Sequence, residues 1–491
     1  MNGSIIRYIL GQVLKIEGVL MLVPMITAVI YGEGQGWSFL TVSAVCLLLG
    51  LIMSWKKPMD NVFYLKEGCV TTALSWIILS AFGALPFVIN GEIPSFTDAM
   101  FEMVSGFTTT GSSILTDVEV MSHTGLIWRC FSHWVGGMGV LVFLLAIVPM
   151  NGGSHMNLMK AESPGPSVGK LVPKVTSTAR ILYLIYFVMT VIQIVLLLLG
   201  DMPLFDALCT AFGTAGTGGF GIKANSIAGY SAYIQWITTI FMILFGVNFN
   251  AYYYIVFGKF RKALGMEEVR WYFIIIFAAV AFITVNILSM YGGWFESLTH
   301  AAFQVGTIIT TTGFATTDFN LWPAASKTIL VILMFLGACA GSTGGGFKVS
   351  RLVILVKTIF KEFHAYIHPK SIRKVKFEGA PVEHEILRSI NVYLVTYVII
   401  FIASVFLISL ENYDLVTTFT SVAATFNNIG PGLELVGPIG SFTFFNDFSK
   451  WVLIFDMLAG RLELFPMLIL FHPTVWKQAY IRSRASKERK A

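Results

Sequence analysis

Apolar runs long enough to cross a bilayer recur along the chain near residues 5 to 30, 38 to 55, 69 to 90, 125 to 149, 181 to 200, 232 to 257, 271 to 291, 326 to 356, 390 to 410 and 449 to 471. They predict ten membrane-spanning helices. The run from Ile5 to Ile30 is long enough to span and lacks a small-residue cleavage site, so it reads as the first span and not as a leader.

Four segments between these runs are too apolar for simple loops, and they share one layout: an aromatic residue or Thr, an acid, a helix-like run, then a stretch of Thr and Gly. They open on Thr97-Asp98-Ala99-Met100, Phe205-Asp206-Ala207-Leu208, Phe295-Glu296-Ser297-Leu298 and Tyr413-Asp414-Leu415-Val416. Each acid suits a helix N-terminus, where free N–H groups and the positive dipole end favour it. They close on Phe107-Thr108-Thr109-Thr110-Gly111-Ser112, Gly213-Thr214-Ala215-Gly216-Thr217-Gly218-Gly219, Gly306-Thr307-Ile308-Ile309-Thr310-Thr311-Thr312-Gly313-Phe314 and Thr425-Phe426-Asn427-Asn428-Ile429-Gly430-Pro431.

The glycines Gly111, Gly218, Gly313 and Gly430 recur at roughly one hundred residues, an internal repeat. The reading is an all-α integral membrane protein: four pseudo-symmetric units of span, re-entrant pore loop and span around one pore, after two N-terminal spans. The units are expected over 67–178, 179–268, 269–388 and 389–476, with an N-terminal two-span extension over 1–66 and a basic tail over 477–491.

Open backbone at membrane depth is tolerated only where it lines a cavity or is buried in protein. Carbonyls there can replace the hydration shell of an ion, and glycine lets the backbone turn them inward. The candidate ion-binding residues are Thr110, Gly111, Thr217, Gly218, Thr312, Gly313, Ile429 and Gly430, acting through backbone carbonyls; the fourth unit has Ile where the others have Thr. The C-terminal ends of the short helices would add partial negative charge beneath them.

Composition agrees with the span pattern. Of 491 residues 56% are hydrophobic and only 12% charged, with mean hydropathy +0.75, which excludes an ordinary soluble domain. The net charge is +6; its distribution says more than its sum and does not call for a nucleic acid. With the N-terminus cytoplasmic, nearly all Lys and Arg fall inside, the exceptions being Arg129, Lys223, Lys327 and Lys450 outside and Lys348 and Arg461 within spans. The outer segments hold acids such as Glu33, Glu102, Asp117, Glu119, Asp318 and Glu434, which either concentrate cations or simply cap loop ends. The five cysteines lie singly in apolar surroundings, which predicts neither disulfide nor metal site. His123, His133, His300, His364 and His368 have no catalytic or metal-ligand spacing, so no enzyme is expected.

Below the Thr/Gly stretches lie two further features. The eighth run contains Gly341, Ser342, Thr343, Gly344, Gly345, Gly346 and, after Phe347, Lys348. Three consecutive glycines in a helix cost on the order of 3 kcal/mol relative to alanine, which predicts an interruption that either blocks the cavity or allows close helix packing, as at Gly136-Gly137-Met138-Gly139. A phosphate-binding loop is excluded because Phe347, not Lys, follows Gly346. Arg461 falls within the last run, where a charge faces a cavity or a partner. The alternative is a buried pair with Asp456 or Glu463, neither at the favoured helical spacing.

The four Thr/Gly stretches, Gly341-Ser342-Thr343-Gly344-Gly345-Gly346, and Asp456-Met457-Leu458-Ala459-Gly460-Arg461-Leu462-Glu463 resemble the Trk/Ktr/HKT superfamily of potassium transporters over nearly the whole chain. The two extra N-terminal spans resemble the Trk type. The resemblance implies K+ as the transported ion, since glycine stands in all four units, and potassium uptake across a bacterial inner membrane. It also implies an intramembrane gate at Gly341–Gly346 and a place for Arg461 on the conduction path. The implied partners are a second copy in a homodimer and a cytosolic ring of nucleotide-binding TrkA-type regulatory subunits. No nucleotide-binding domain or organic cofactor is expected in this chain itself. The basic segment Lys357 to Arg388 is the expected docking surface, and a patch for membrane lipid headgroups explains its charge equally well. The competing function is a proton- or sodium-coupled secondary transporter, against which stand the few ionisable groups in the spans and the parallel repeats.

Overall fold

The computed structural model describes residues 2–58, 64–139, 175–371, 373–473 and 475. Among them the chain is helical apart from one antiparallel hairpin, Lys376–Phe377 with Ala380–Pro381. The basic tail and most of the expected cytoplasmic segment before Arg180 lie outside the described residues.

Among the described residues six helices are long and apolar enough to cross a membrane, and a seventh forms if a bent pair is counted as one span. The first, Gly3–Tyr31, is two helices joined at Met21. It packs on Gly36–Ser54 through small residues, where a Cβ on Gly11 would meet Gly50 O at 3.0 Å and one on Gly18 would meet Ser43 O at 3.0 Å. Close backbone approach is how apolar helices gain contact when lipid is as apolar as they are.

The remaining expected spans are shorter or broken, each at an identifiable place. The run at 232 to 257 bends by 94° between Ala232–Phe245 and Phe249–Val256, with Asn248 capping the second helix. The run at 326 to 356 is interrupted as expected, ending at Phe335 and resuming at Val349. The run at 449 to 471 stops at Arg461 and resumes at Phe465 through Glu463 and Leu464, whose φ values are +58° and +64°. Helix His123–Gly137 carries the start of the run at 125 to 149, whose later part is outside the described residues.

Four short helices, Phe96–Phe107, Leu204–Gly216, Trp294–Ile309 and Leu415–Phe426, run into the four Thr/Gly stretches. The acids do stand at their starts, but in two ways. Asp414 is itself the cap, accepting from Thr417 N at 2.8 Å, and these hydrogen bonds to the Thr417 side chain and backbone hold its carboxyl below the usual range. Asp98, Asp206 and Glu296 sit in the first turn, where Ser95 caps the first helix.

The acids expected on the outer side are mostly tied into the scaffold. Glu102 is fully buried, ion-paired to Arg129 at 2.7 Å, and also accepts from Ile114 N and Ser113 Oγ. Asp98 pairs with Lys450 at 2.6 Å, and Asp206 accepts from the Tyr230 hydroxyl. Glu33 accepts from the backbone and side chain of Thr124 and the backbone of His123; partial burial raises its carboxyl pKa, and these bonds outweigh that, so it lies below the usual range. Capping and pairing account for these residues.

Removing one partner of a buried ion pair leaves the other charge stranded, so Arg129→Ala is expected to destabilise the fold by about 3–5 kcal/mol. Thermal unfolding of the purified protein in detergent, compared with wild type, measures this; an unchanged midpoint contradicts it.

Candidate functional site

The four Thr/Gly stretches leave their helices by the same backbone path. In each, one residue turns left-handed, Thr109, Thr217, Thr311 or Asn428, with φ between +54° and +59°. The next N–H reaches back to the helix: Thr110 to Ser105 O, Gly218 to Gly213 O, Thr312 to Thr307 O and Ile429 to Ala424 O, at 2.7 to 2.9 Å. The residue after that is a glycine with φ of +77° to +104°: Gly111, Gly219, Gly313 and Gly430.

This common path corrects the register expected from sequence in the second unit. Gly218 stands level with Thr110, Thr312 and Ile429, while Gly219 is the counterpart of the other three glycines. Two adjacent glycines hid the offset. The interval from Asp98 to Gly111 equals that from Asp206 to Gly219, but the third and fourth units are longer, so the backbone path decides the register. Thr217 accordingly moves one level down, to the left-handed position shared with Thr109, Thr311 and Asn428.

The four glycines close a ring. A Cβ on Gly111 would collide with Gly218 O, one on Gly219 with Thr312 O, one on Gly313 with Ile429 O, and one on Gly430 would lie 2.9 Å from Thr110 O. Each unit therefore packs its glycine against the carbonyl of the next, in the order one, two, three, four and back to one. Ser112 Oγ donates to Gly430 O at 3.0 Å and Asn428 Nδ2 to Thr110 Oγ1 at 2.9 Å, closing the seam between the fourth and first units. A cavity of about 180 Å³ sits on the ring, lined by all four glycines.

Gly218 is glycine for a different reason, because a Cβ there would strike the His133 ring. His133 is fully buried and bridges two units: Nδ1 contacts Gly106 O at 2.7 Å and Nε2 contacts Phe220 N at 3.1 Å. A carbonyl only accepts and an amide only donates, so these partners select the neutral tautomer with its proton on Nδ1. His300 likewise bonds locally, to Thr316 Oγ1 at 3.0 Å.

Beneath the ring the interruption at residues 336–348 crosses the fold. Gly345 N donates to Thr311 Oγ1 at 2.7 Å. A Cβ on Gly344 would lie 3.0 Å from Thr310 O, and one on Gly345 2.8 Å from Asn427 O, so the loop lies against the C-terminal ends of the third and fourth short helices. It is also stitched to the bend in the second unit: Cys339 N to Gly246 O and Phe249 N to Gly341 O, both at 3.0 Å. Lys348, buried at the end of the loop, turns back and donates to Gly345 O at 2.9 Å and to Gly344 O. Ser342 Oγ closes a local turn on Cys339 O at 2.6 Å, Thr343 Oγ1 donates to Phe245 O at 3.2 Å, and Gly346 takes a φ of +67° that favours glycine.

Arg461 is placed otherwise than expected, as the last residue of its helix and not in the middle of a span. Its guanidinium donates to Thr343 O at 2.7 Å, Gly136 O at 2.7 Å and Gly137 O at 2.8 Å, strapping the loop of the third unit to the first. Neither acid weighed as its partner takes it. Glu463 is ion-paired with Arg351, and Asp456 accepts from Ser404 Oγ at 2.7 Å. The Gly136-Gly137 pair serves close packing as well, since a Cβ on Gly136 would collide with Phe107 O.

Replacing Gly219 by alanine forces a side chain into a left-handed conformation, at about 1–2 kcal/mol, and onto a neighbour's carbonyl. If the ring carries the ion that the resemblance implies, Gly219→Ala is expected to reduce its flux by about tenfold or more, whereas Gly218→Ala acts through His133 packing and lowers thermal stability. Flux and melting measured on both variants in parallel test the register; flux unaffected by Gly219→Ala contradicts it.

The TrkH family, described as cation transport protein, matches residues 36–478. The chain is 35% identical over 486 residues to the Trk system potassium uptake protein TrkH of Escherichia coli (strain K12), spanning 97% of this chain and 100% of that protein. It is 30% identical over 488 residues to the Trk system potassium uptake protein TrkG of the same strain, with 97% and 100% covered. The crystal structure of the potassium transporter TrkH from Vibrio parahaemolyticus is similar with TM-score 0.87 and 32% identity, covering 97% of this chain and 100% of that one. Similarity in sequence and fold over nearly the whole length means that the chain belongs to the TrkH family of cation transport proteins.

Proposed function

We propose that this chain is the potassium-translocating subunit of a Trk-type uptake system in a bacterial inner membrane, with both termini in the cytoplasm. The observation that carries the reading is the closed ring of Gly111, Gly219, Gly313 and Gly430 with the carbonyls of Thr110, Gly218, Thr312 and Ile429 packed between them. Such a ring offers an ion only oxygen ligands, which suits a hard monovalent cation. Thr109 Oγ1, at the level just below, is buried without a hydrogen-bond partner among the described residues and is a further oxygen that a desolvated K+ would satisfy. The ring is the selectivity filter on this reading, and units 67–178, 179–268, 269–388 and 389–476 each supply one wall.

The loop Gly341–Gly346 is the gate, held shut by Lys348 within it and by Arg461 across it. Conduction is channel-like: the loop must leave the space under the filter, and Arg461 must surrender its bond to Thr343 O. The control that opens it belongs to a cytosolic TrkA-type partner docked on the basic segment Lys357 to Arg388, in an assembly built on a homodimer. Gly313→Ser is expected to weaken the preference for K+ over Na+, because a side chain there displaces the Ile429 carbonyl.

Rb+ and Na+ uptake into liposomes under a set inward-negative voltage, with and without a pH gradient, tests the whole reading. Expected are voltage-driven Rb+ uptake independent of the pH gradient, a lower Rb+ to Na+ ratio in Gly313→Ser, and higher flux in Arg461→Ala. No Rb+ uptake under voltage would sink the potassium reading, and strict dependence on a proton gradient would mean coupled transport.

A further inference from the structure

Glu268 is the second residue of helix Glu267–Asn286, which opens the third unit, and it is 3% exposed. One of its oxygens, Oε1, accepts from Ala340 N at 2.7 Å and from Ser350 N at 3.0 Å. Those two residues bracket Gly341–Gly346, so a single carboxylate oxygen pins both ends of the loop. The other oxygen accepts from Asn248 Nδ2 at 3.3 Å. Asn248 caps the helix beyond the 94° bend of the second unit, and the next residue, Phe249, donates to Gly341 O at 3.0 Å. Glu268 thus joins the start of the loop, its end, and the neighbouring unit on which the loop leans.

The helix that carries Glu268 is fastened from outside. Its own cap position, Met266, offers no side-chain acceptor, although the first N–H groups of a helix need one. Glu378, exposed at the tip of the hairpin Lys376–Phe377/Ala380–Pro381, supplies it: its Oε1 accepts from Glu268 N at 3.2 Å. Lys357, on the helix that follows the loop, ion-pairs with Glu267 and donates to Lys376 O at 2.9 Å. The hairpin, the helix after the loop and the helix bearing Glu268 therefore meet at one point.

We propose that Glu268 is the positioning residue for both ends of the gate loop, and that the hairpin at Lys376–Pro381 is the input through which a cytosolic partner releases it. Pulling Glu378 away uncaps the helix start; the Glu268 carboxylate shifts, and the loop loses its two anchors together. Lys370, Arg373, Lys374 and Lys376 stand exposed beside the hairpin, so the docking partner presents an acidic surface there. A partner shifts this equilibrium only if it binds the released hairpin more tightly than the clasped one. The inference rests on the gate reading above.

The full chain in liposomes, assayed for Rb+ uptake and by hydrogen–deuterium exchange of the peptide spanning 339–350, tests it. Glu378 is an exposed residue that touches the loop only through Glu268, so Glu378→Ala leaves the core intact; it is expected to speed exchange in that peptide and raise partner-free uptake by about tenfold, within the usual range of coupling between sites. Glu378→Gln keeps an acceptor and is expected to restore both. Glu268→Ala should speed the same exchange more strongly. If exchange in 339–350 is unchanged in Glu378→Ala while Arg461→Ala still raises flux, the hairpin link is wrong and the gate stands. If exchange rises in both glutamate variants and flux does not respond, the positioning role stands and the gate reading falls.

Discussion

Non-helical backbone buried in an apolar protein must find a partner for every N–H and C=O, and this requirement organises the structure. Four short helices end at the same level, each releasing a strand whose amides reach back into its own helix and whose glycine lies against the next strand's carbonyl. Phe220 N is bound across units by His133, and the carbonyls of Thr110, Gly218, Thr312 and Ile429 lie against the neighbouring glycines. Glycine is dictated twice over, by a left-handed φ and by a neighbour where a Cβ would stand. The shell around the ring serves the same end: His133 ties the first unit to the second, and Asn428 and Ser112 tie the fourth back to the first.

The same requirement explains why the loop under the ring is rich in glycine yet held by charged donors. A loop that must lie flat against helix C-termini needs small residues, as the approaches of Gly344 to Thr310 O and Gly345 to Asn427 O require. Its carbonyls then lack donors of their own. Lys348 and Arg461 supply them, and Arg461 is also a cation at the C-terminal end of helix His123–Gly137, where it is favoured. Among the described residues the third unit contributes this loop and the fourth contributes the arginine, which is how the units differ.

Much of this was legible in the sequence, and the parts that were not share a cause. The repeat, the short helices and the interruption at Gly341–Gly346 follow from polar, small residues placed at fixed intervals in apolar runs, which is local information. The register at Gly218 and Gly219 needed the backbone path, since two glycines satisfy one slot equally well on paper. The bend at Asn248 carried a signal, a Gly followed two residues later by an N-cap residue, that an unbroken apolar run masked. The turn at Glu463-Leu464 had none: a leucine with φ +64° is fixed by its surroundings, including Leu464 N on Ala459 O at 2.8 Å. Glu268 was equally silent, because an acid in a first helical turn looks like an ordinary dipole partner; its partners lie far along the chain.

Electrostatics separates the two ends of the axis. Glu102 and Asp98 are taken up by Arg129 and Lys450, so in the proposed reading the carbonyls of the ring, more than free carboxylates, favour a cation there. In the proposed mechanism two basic side chains beneath the ring, Lys348 and Arg461, stand where a permeating ion would pass. Like charges a few ångströms apart in a poorly hydrated space repel strongly, so an ion descending from the ring and these two side chains are alternatives. In the proposed mechanism the loop therefore blocks by bulk and by charge together, and a partial displacement that leaves either cation in place would widen the path without letting an ion through.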